Sequence, residues 1–214
     1  MKIIFADQEF ILDASGALYW PEKSILIVAD AHLEKGSFFA RWGFHLPPYD
    51  SQMTLERLAD AQARYAPKQI LILGDFFHDA KAHDRLSADS RKLFDAVKRS
   101  DILWVKGNHD VALKPDGVDM MDEYEHTGIM FRHEALDDSH PEISGHFHPK
   151  SRFVHKGTSL AGRCFIEDGK KFILPAFGAY TGGLFTDHQS ISRHFSDNPR
   201  RYLIINERIV AISD

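Results

Sequence analysis

Residues 24–32 read SILIVADAH. The apolar run at 25–29 does not alternate with polar residues, as in a strand covered on both faces. It ends on Asp30 and His32. The pattern recurs twice: QILIL at 69–73 runs into Gly74-Asp75, and DILWV at 101–105 leads to Gly107-Asn108-His109-Asp110. Two stretches of helical periodicity lie between these runs. Asp50 is positioned to cap the first, with Leu55, Leu58 and Ala59 on one face and Pro67 closing it. Ser87 is positioned to cap the second, with Leu93, Phe94 and Val97 together. A strand–helix–strand–helix–strand order implies parallel strands joined by right-handed crossovers.

The C-terminal half changes character. Short strand-like pieces at 129–132, 142–144, 163–167, 171–174 and 202–212 follow one another with little helix between them. The segments 167–170 (EDGK) and 206–207 (NE) read as hairpin turns. The expected fold is α/β in the layered α+β sense: a βαβ sandwich of two mixed sheets flanked by helices, in a single domain over residues 1–214.

Composition narrows the class. With 43% hydrophobic and 27% charged residues, the chain has the balance of a soluble globular protein. The 26 basic and 31 acidic residues give a net charge of -5, which argues against a protein that coats nucleic acid by charge alone. It leaves room for a nucleic-acid enzyme, because bound metals make the local field positive. A lone cysteine, Cys164, allows no intrachain disulfide and reads as a buried structural thiol in a reducing compartment. The start, MKIIFADQEFILDASG, lacks the uninterrupted apolar run of a secretory leader. No stretch approaches the roughly 18 apolar residues of a membrane span. A cytoplasmic location is expected.

The polar residues after the strands are the chemically informative ones. Asp30, Asp75 and Asn108 each follow the C-terminal end of an apolar run, the edge where open α/β sheets bind ligands. Asp30 and His32 are two apart, as are His146 and His148 in Gly145-His146-Phe147-His148, so each pair shares a side if the backbone is extended. Gly74 lets the chain come close to a site at Asp75, whose two oxygens can bridge two cations. Asn108 offers an amide oxygen, His109 would sit beside it, and Asp110 is placed to orient the His109 ring. His133, after IMFR, adds an imidazole. Two carboxylates, an amide oxygen and several imidazoles suit Mn²⁺, Fe or Zn²⁺ better than Ca²⁺ or Mg²⁺.

The series D-x-H, G-D, G-N-H-D, a lone His and G-H-x-H, in this order over residues 30–148, resembles the calcineurin-like metallophosphoesterases. DAHLEKGSFFARWGFHLPPYD at 30–50, GDFFHD at 74–79 and PAFGAYTGGL at 175–184 are similar to the bacterial ligase-associated DNA damage response branch of that family. The resemblance implies a metallophosphoesterase fold and two divalent cations, Mn²⁺ first. It implies one cation held by Asp30, His32, Asp75 and His148, and the other by Asp75, Asn108, His133 and His146. A water or hydroxide bridging the metals would attack phosphorus, His109 would protonate the leaving oxygen, and Asp110 would orient His109. The branch implies DNA as substrate, with a DNA ligase, a helicase and an exonuclease as partners in repair. Arg132 stands before His133 where the family usually has Gly, which keeps His140 and His126 as alternatives.

Substrate contacts are more open. Residues 36–48 (GSFFARWGFHLPP) hold Phe38, Phe39, Trp42, Phe44 and Arg41. The aromatics either stack on bases while Arg41 meets a phosphate, or they cover the sheet or a homodimer contact. His78 either reaches the substrate phosphate or begins a solvated helix. Arg132, Lys150, Arg152 and Arg163 are candidates for a basic rim. A phosphodiesterase or phosphatase acting on a nucleotide or lipid precursor is the enzyme alternative, and a non-catalytic scaffold of the same fold is the alternative of another class.

Overall fold

The computed structural model describes residues 1–212 apart from 45, 48, 111–117, 119, 156, 197 and the side chain of His155. His45 and Pro48 of the aromatic segment therefore lie outside the described residues. The first sheet has seven strands in chain order: β1 (Lys2–Phe5), β2 (Gln8–Leu12), β3 (Leu18–Trp20), β4 (Ile25–Val28), β5 (Gln69–Leu73), β6 (Asp101–Val105) and β7 (Met120–Met121). From β4 to β7 the strands are parallel, with Ile25 opposite Gln69 and Gln69 opposite Asp101. α2 (Asp50–Tyr65) and α4 (Ala88–Val97) make the crossovers, each preceded by a short helix, α1 (Lys35–Ala40) and α3 (Ala82–Arg85).

Both faces of this sheet are covered, which is why its central strands do not alternate in sequence. Ile25, Ile27, Leu71, Leu73 and Val105 share a core with Phe131, Ile143, Phe165 and Phe172 of the second sheet. Their neighbours Leu26, Val28, Ile70, Ile72 and Trp104 pack beneath Leu55, Leu58 and Ala61 of α2 and Phe94 and Val97 of α4. Two details of α2 differ from the expectation. Its buried face runs through Ala61 while Ala59 is half-buried. Asp50 is the first helical residue, not the cap, because its carboxylate accepts instead from the Gly36 amide at 2.8 Å. Ser87 caps α4 as expected, accepting from Ser90 N at 3.1 Å. Ser87→Ala is expected to lower unfolding stability by about 1 kcal/mol; an unchanged urea midpoint would show the cap to be idle.

The second sheet has the order β15 (Arg208–Ile212), β14 (Arg200–Ile205), β12 (Thr158–Glu167), β13 (Lys171–Ile173), β10 (Glu142–Ser144), β9 (Ile129–Phe131), β8 (Tyr124–His126). β11 (Lys150–His155) pairs with β12 off this path, and α5 (Gln189–Ser192) lies between β13 and β14. β10 is parallel to both its neighbours and the other pairs are antiparallel. The fold is therefore the expected α/β sandwich of two mixed sheets flanked by helices. The meander β1–β3 is an addition the sequence reading did not contain.

Candidate metal centre

Asp30, Asp75 and Asn108 leave the C-terminal ends of β4, β5 and β6, while His133 follows β9 and His146 and His148 follow β10. The two sheets thus deliver their polar residues to one rim. They do not do so through extended backbone. Asp30, His32, Asp75, His146 and His148 have φ of 55°, 45°, 50°, 69° and 49°. A left-handed non-glycine residue costs of order 1–3 kcal/mol, and such strain concentrates at functional sites. Hydrogen bonds to neighbouring segments hold it: Asp30 N to Gly74 O at 3.2 Å, His32 N to Asp75 O at 2.9 Å, and His146 N to Asp30 Oδ2 at 2.8 Å. The crossing is tight. A Cβ on Gly107 would overlap the Asp75 carboxylate, and one on Gly74, at φ 77°, would overlap the His133 ring.

Among the described residues the side chains converge in three groups, Asp30 with His32 and His148, Asp30 with Asp75 and His133, and His32 with His78 and His109, each with ligand atoms within 4.8 Å of one another. His32 Nε2 lies 3.2 Å from His148 Nε2, which is 3.3 Å from Asp30 Oδ1. His133 Nε2 is 3.4 Å from Asp75 Oδ2, 3.1 Å from Asn108 Oδ1 and 3.1 Å from His146 Nδ1. All seven expected ligands meet here. His126 instead packs on Trp20 and Tyr124, and His140 is exposed beside Asp138.

This donor set fits cations. Asp30 Oδ1 is buried and takes no hydrogen bond among the described residues, although imidazole nitrogens surround it. A buried carboxylate oxygen without a donor is costly unless a cation satisfies it. His133 Nδ1 must donate to Leu73 O, at 2.9 Å, because a carbonyl only accepts; Nε2 is thereby turned to the cluster. Burial holds the His32 imidazole down at about 3 and the His78 imidazole at about 4, so both are neutral. Burial would lower His133 too, but its bond to Asp75 and the Asp30 charge raise it to about 9. Burial would raise Asp75, yet the His133 bond and charge bring it to about 2, which keeps it ionised. Burial would raise Asp30 as well, but His148, His133 and His32 together hold it below the carboxylate range.

Three side chains take parts other than those expected. Asp75, expected to bridge with one oxygen to each cation, has Oδ1 accepting from His109 N at 2.8 Å and Oδ2 facing the imidazoles. Asp110 does not touch the His109 ring. Its Oδ2 accepts from Asp75 N at 2.7 Å, Gly107 N at 3.0 Å and Trp104 Nε1 at 3.1 Å, so it fixes the loop that carries the site. The His109 ring is oriented by the His78 carbonyl, which accepts from its Nδ1 at 2.7 Å.

His78 is not at a solvated helix start. It is buried, stacked on His109 at 5.0 Å, with Nδ1 3.5 Å from His32 Nδ1 and Phe38 and Phe39 packed on its ring. The aromatic segment therefore divides: Phe38 and Phe39 pack, while Trp42 and Phe44 are 72% and 67% exposed. Arg41 is exposed at the end of α1, and among the described residues it makes no hydrogen bond to the cluster. The basic rim shrinks. Arg132 is buried against Glu123, Asp138 and Glu142, and Arg163 donates to the carbonyls of Ala176 and Ser15. Lys150 and Arg152 are left to form it.

The chain matches the calcineurin-like phosphoesterases over residues 23–205 and belongs to that family. It is a metal-dependent phosphoesterase. It is similar to the nuclease MPE of Pseudomonas putida, with a TM-score of 0.78 and 30% identity over 99% of each chain. The likeness to Yfce, a phosphoesterase from E. coli, is remote: TM-score 0.43 and 13% identity over 88% of this chain and 97% of that one. No curated protein matches the chain. Among the described residues, no helix is long and apolar enough to cross a membrane.

Proposed function

We propose that the protein is a dimetal phosphodiesterase that cuts DNA in bacterial repair, in the cytoplasm, as one catalytic domain. The observation that carries the dimetal reading is the unsatisfied Asp30 Oδ1 inside a nest of imidazoles. Asp30, His32, Asp75 and His148 would hold one divalent cation, and Asp75, Asn108, His133 and His146 the other. Mn²⁺ is the preferred metal, and the nitrogen-rich donor set also accommodates Fe or Zn²⁺. Bound there, the cations supply Lewis acidity toward phosphorus and activate water.

The chain's own residues do the rest. With Nδ1 given to the His78 carbonyl, His109 presents Nε2 to the cluster, 4.0 Å from Asp75 Oδ2. From there it can protonate the leaving oxygen. Asp110 acts at one remove, keeping Asp75 and Gly107 in place. His78, neutral and pressed between His32 and His109, is within reach of a phosphate oxygen, and Arg41 would meet the substrate farther out. The likeness to a nuclease supports a polynucleotide substrate. The repair partners, a ligase, a helicase and an exonuclease, rest on the branch resemblance.

The test compares bis(p-nitrophenyl) phosphate with p-nitrophenyl phosphate, after metal stripping and after return of Mn²⁺. Preferential diester cleavage that returns with Mn²⁺ is expected, followed by cleavage of single-stranded, nicked or gapped DNA. If neither ester is cleaved while metals are bound, the phosphodiesterase reading fails. Ester cleavage without DNA cleavage would move the substrate to a small nucleotide or lipid precursor.

A further inference from the structure

The region 143–166 contains four Lys and Arg and no Asp or Glu, in a chain whose net charge is -5. Most of it is the β11–β12 ribbon, which begins two residues after His148. Only Cys164–Glu167 of β12 pair with β14; Gly162 and Phe153 still pack against the sheet, and the ribbon beyond them extends from it. Residues 184–186 run beside its base: Lys150 N donates to Leu184 O at 2.7 Å and Thr186 N to Lys150 O at 2.9 Å.

Three cavities lie beside this seam, one at the cluster and two, which share residues, past Leu184. The first is lined by His146, His148, Gly183, Leu184 and Arg193. The next is lined by Arg152, Phe185, Thr186 and Arg201, and a third shares Thr186 and Arg201 with it. The Arg152 guanidinium lies over the Phe185 ring, 5.0 Å from its centroid, and Phe185 remains 38% exposed. Arg193 donates to the neighbouring His194 ring. Neither Arg152 nor Arg193 pairs with a carboxylate among the described residues. Glu134 and Asp187 also line these cavities, so the groove is not uniformly basic.

We infer that this groove is a track for one nucleic-acid strand leaving the metal centre, with Arg193 and Arg152 on successive phosphates and the Arg152–Phe185 stack against a base. The inference rests on the polynucleotide reading proposed above and adds a direction and a strandedness. A single phosphodiester needs no track; a polymer does, and it starts here at two of the expected metal ligands. Phe185 decides for an unpaired strand, because an aromatic ring and a guanidinium plane receive splayed bases, whereas a duplex keeps its base faces stacked. Packing alone accounts for the contact between Arg152 and Phe185. It does not account for a second guanidinium without a carboxylate partner among the described residues, Arg193, nearer the centre.

The test is an Arg152→Gln/Arg193→Gln variant, read on a single-stranded DNA oligonucleotide and on bis(p-nitrophenyl) phosphate with Mn²⁺. For the oligonucleotide, kcat/KM is expected to fall about tenfold relative to the small diester. The slope of log affinity against log salt should become shallower by about 1.4, from two phosphate contacts at about 0.7 each. Arg152→Lys/Arg193→Lys, which keeps both charges, should retain most of the salt slope. A proportional loss on both substrates, an unchanged oligonucleotide rate, or a duplex cleaved better than the single strand would overturn the track. Wild-type protein that hydrolyses the small diester but no oligonucleotide would instead overturn the polynucleotide reading itself.

Discussion

Asp75→Asn is expected to lose metal and turnover together. The substitution keeps the shape of the side chain and removes one charge from a carboxylate that is ionised throughout the working pH range. The existing contacts dictate how the amide must sit. Oδ1 accepts from the His109 amide, and only an oxygen can continue to do so. The new NH2 group is then forced into the place of Oδ2, facing His133 Nε2 at 3.4 Å and His32 Nε2 at 3.9 Å. A donor replaces an anionic acceptor at the point that the two proposed cations share. Loss of an outer-shell partner typically costs a metal site roughly 10–100-fold in affinity, and removal of a shared ligand should exceed that. Metal content after gel filtration in Mn²⁺ and bis(p-nitrophenyl) phosphate turnover are the two readouts. A variant that keeps two Mn²⁺ per chain at wild-type affinity would remove Asp75 from its shared role.

How much of this could be read from the chain depends on what each residue faces. The strands β4, β5 and β6 were legible almost to the residue because both their faces are covered, so that apart from the first residues Gln69 and Asp101 their positions are apolar. The half of β12 that packs on the core was legible from the apolar run Cys164-Phe165-Ile166, which is fully buried. Its other half, the outer arm of the ribbon, is mostly exposed, mixes Thr158 and Ser159 with Leu160 and Ala161, and carries no such pattern. β1 and β2 escaped because Ala6 and Asp7 make their turn, both in the left-handed region, without the glycine that usually marks it.

At the site, the ligand types and their order were legible and the backbone was not. Spacing of two suggested alternation along a strand, whereas the pairs converge through left-handed residues imposed by contacts from other segments. Those contacts are long-range: Asp30 is bonded to Gly74 and His146, and no local signal reports them. Asp110 shows the same limit. Its place next to His109 suggested a partner for that ring, but burial beneath the loop leaves its carboxylate among backbone amides and Trp104. His78 had a usable signal in the aromatics at 38 and 39, which pack on its ring and help bury it.

His109→Ala should separate chemistry from metal binding, the opposite pattern to Asp75→Asn. The His109 ring is held chiefly by His78, to whose carbonyl Nδ1 donates and on whose ring it stacks, and it meets the proposed ligand His32 edge-on at 5.2 Å. The bond that His109 gives to Asp75 comes from its backbone amide, which alanine retains. The Asp75 carboxylate therefore keeps its orientation, and both proposed cations should remain. What disappears is the Nε2 that can protonate a leaving oxygen. A positioned acid contributes typically about 10²–10⁴ in rate, so turnover of a diester with a poor leaving group should fall by about that factor at unchanged Mn²⁺ stoichiometry. Bis(p-nitrophenyl) phosphate offers an internal control, because nitrophenolate leaves readily without a proton. The deficit should be larger on DNA, whose alkoxide must be protonated, than on the nitrophenyl ester. Equal losses on both substrates would assign His109 to phosphate binding instead of proton transfer, and full activity on DNA would remove it from the mechanism altogether.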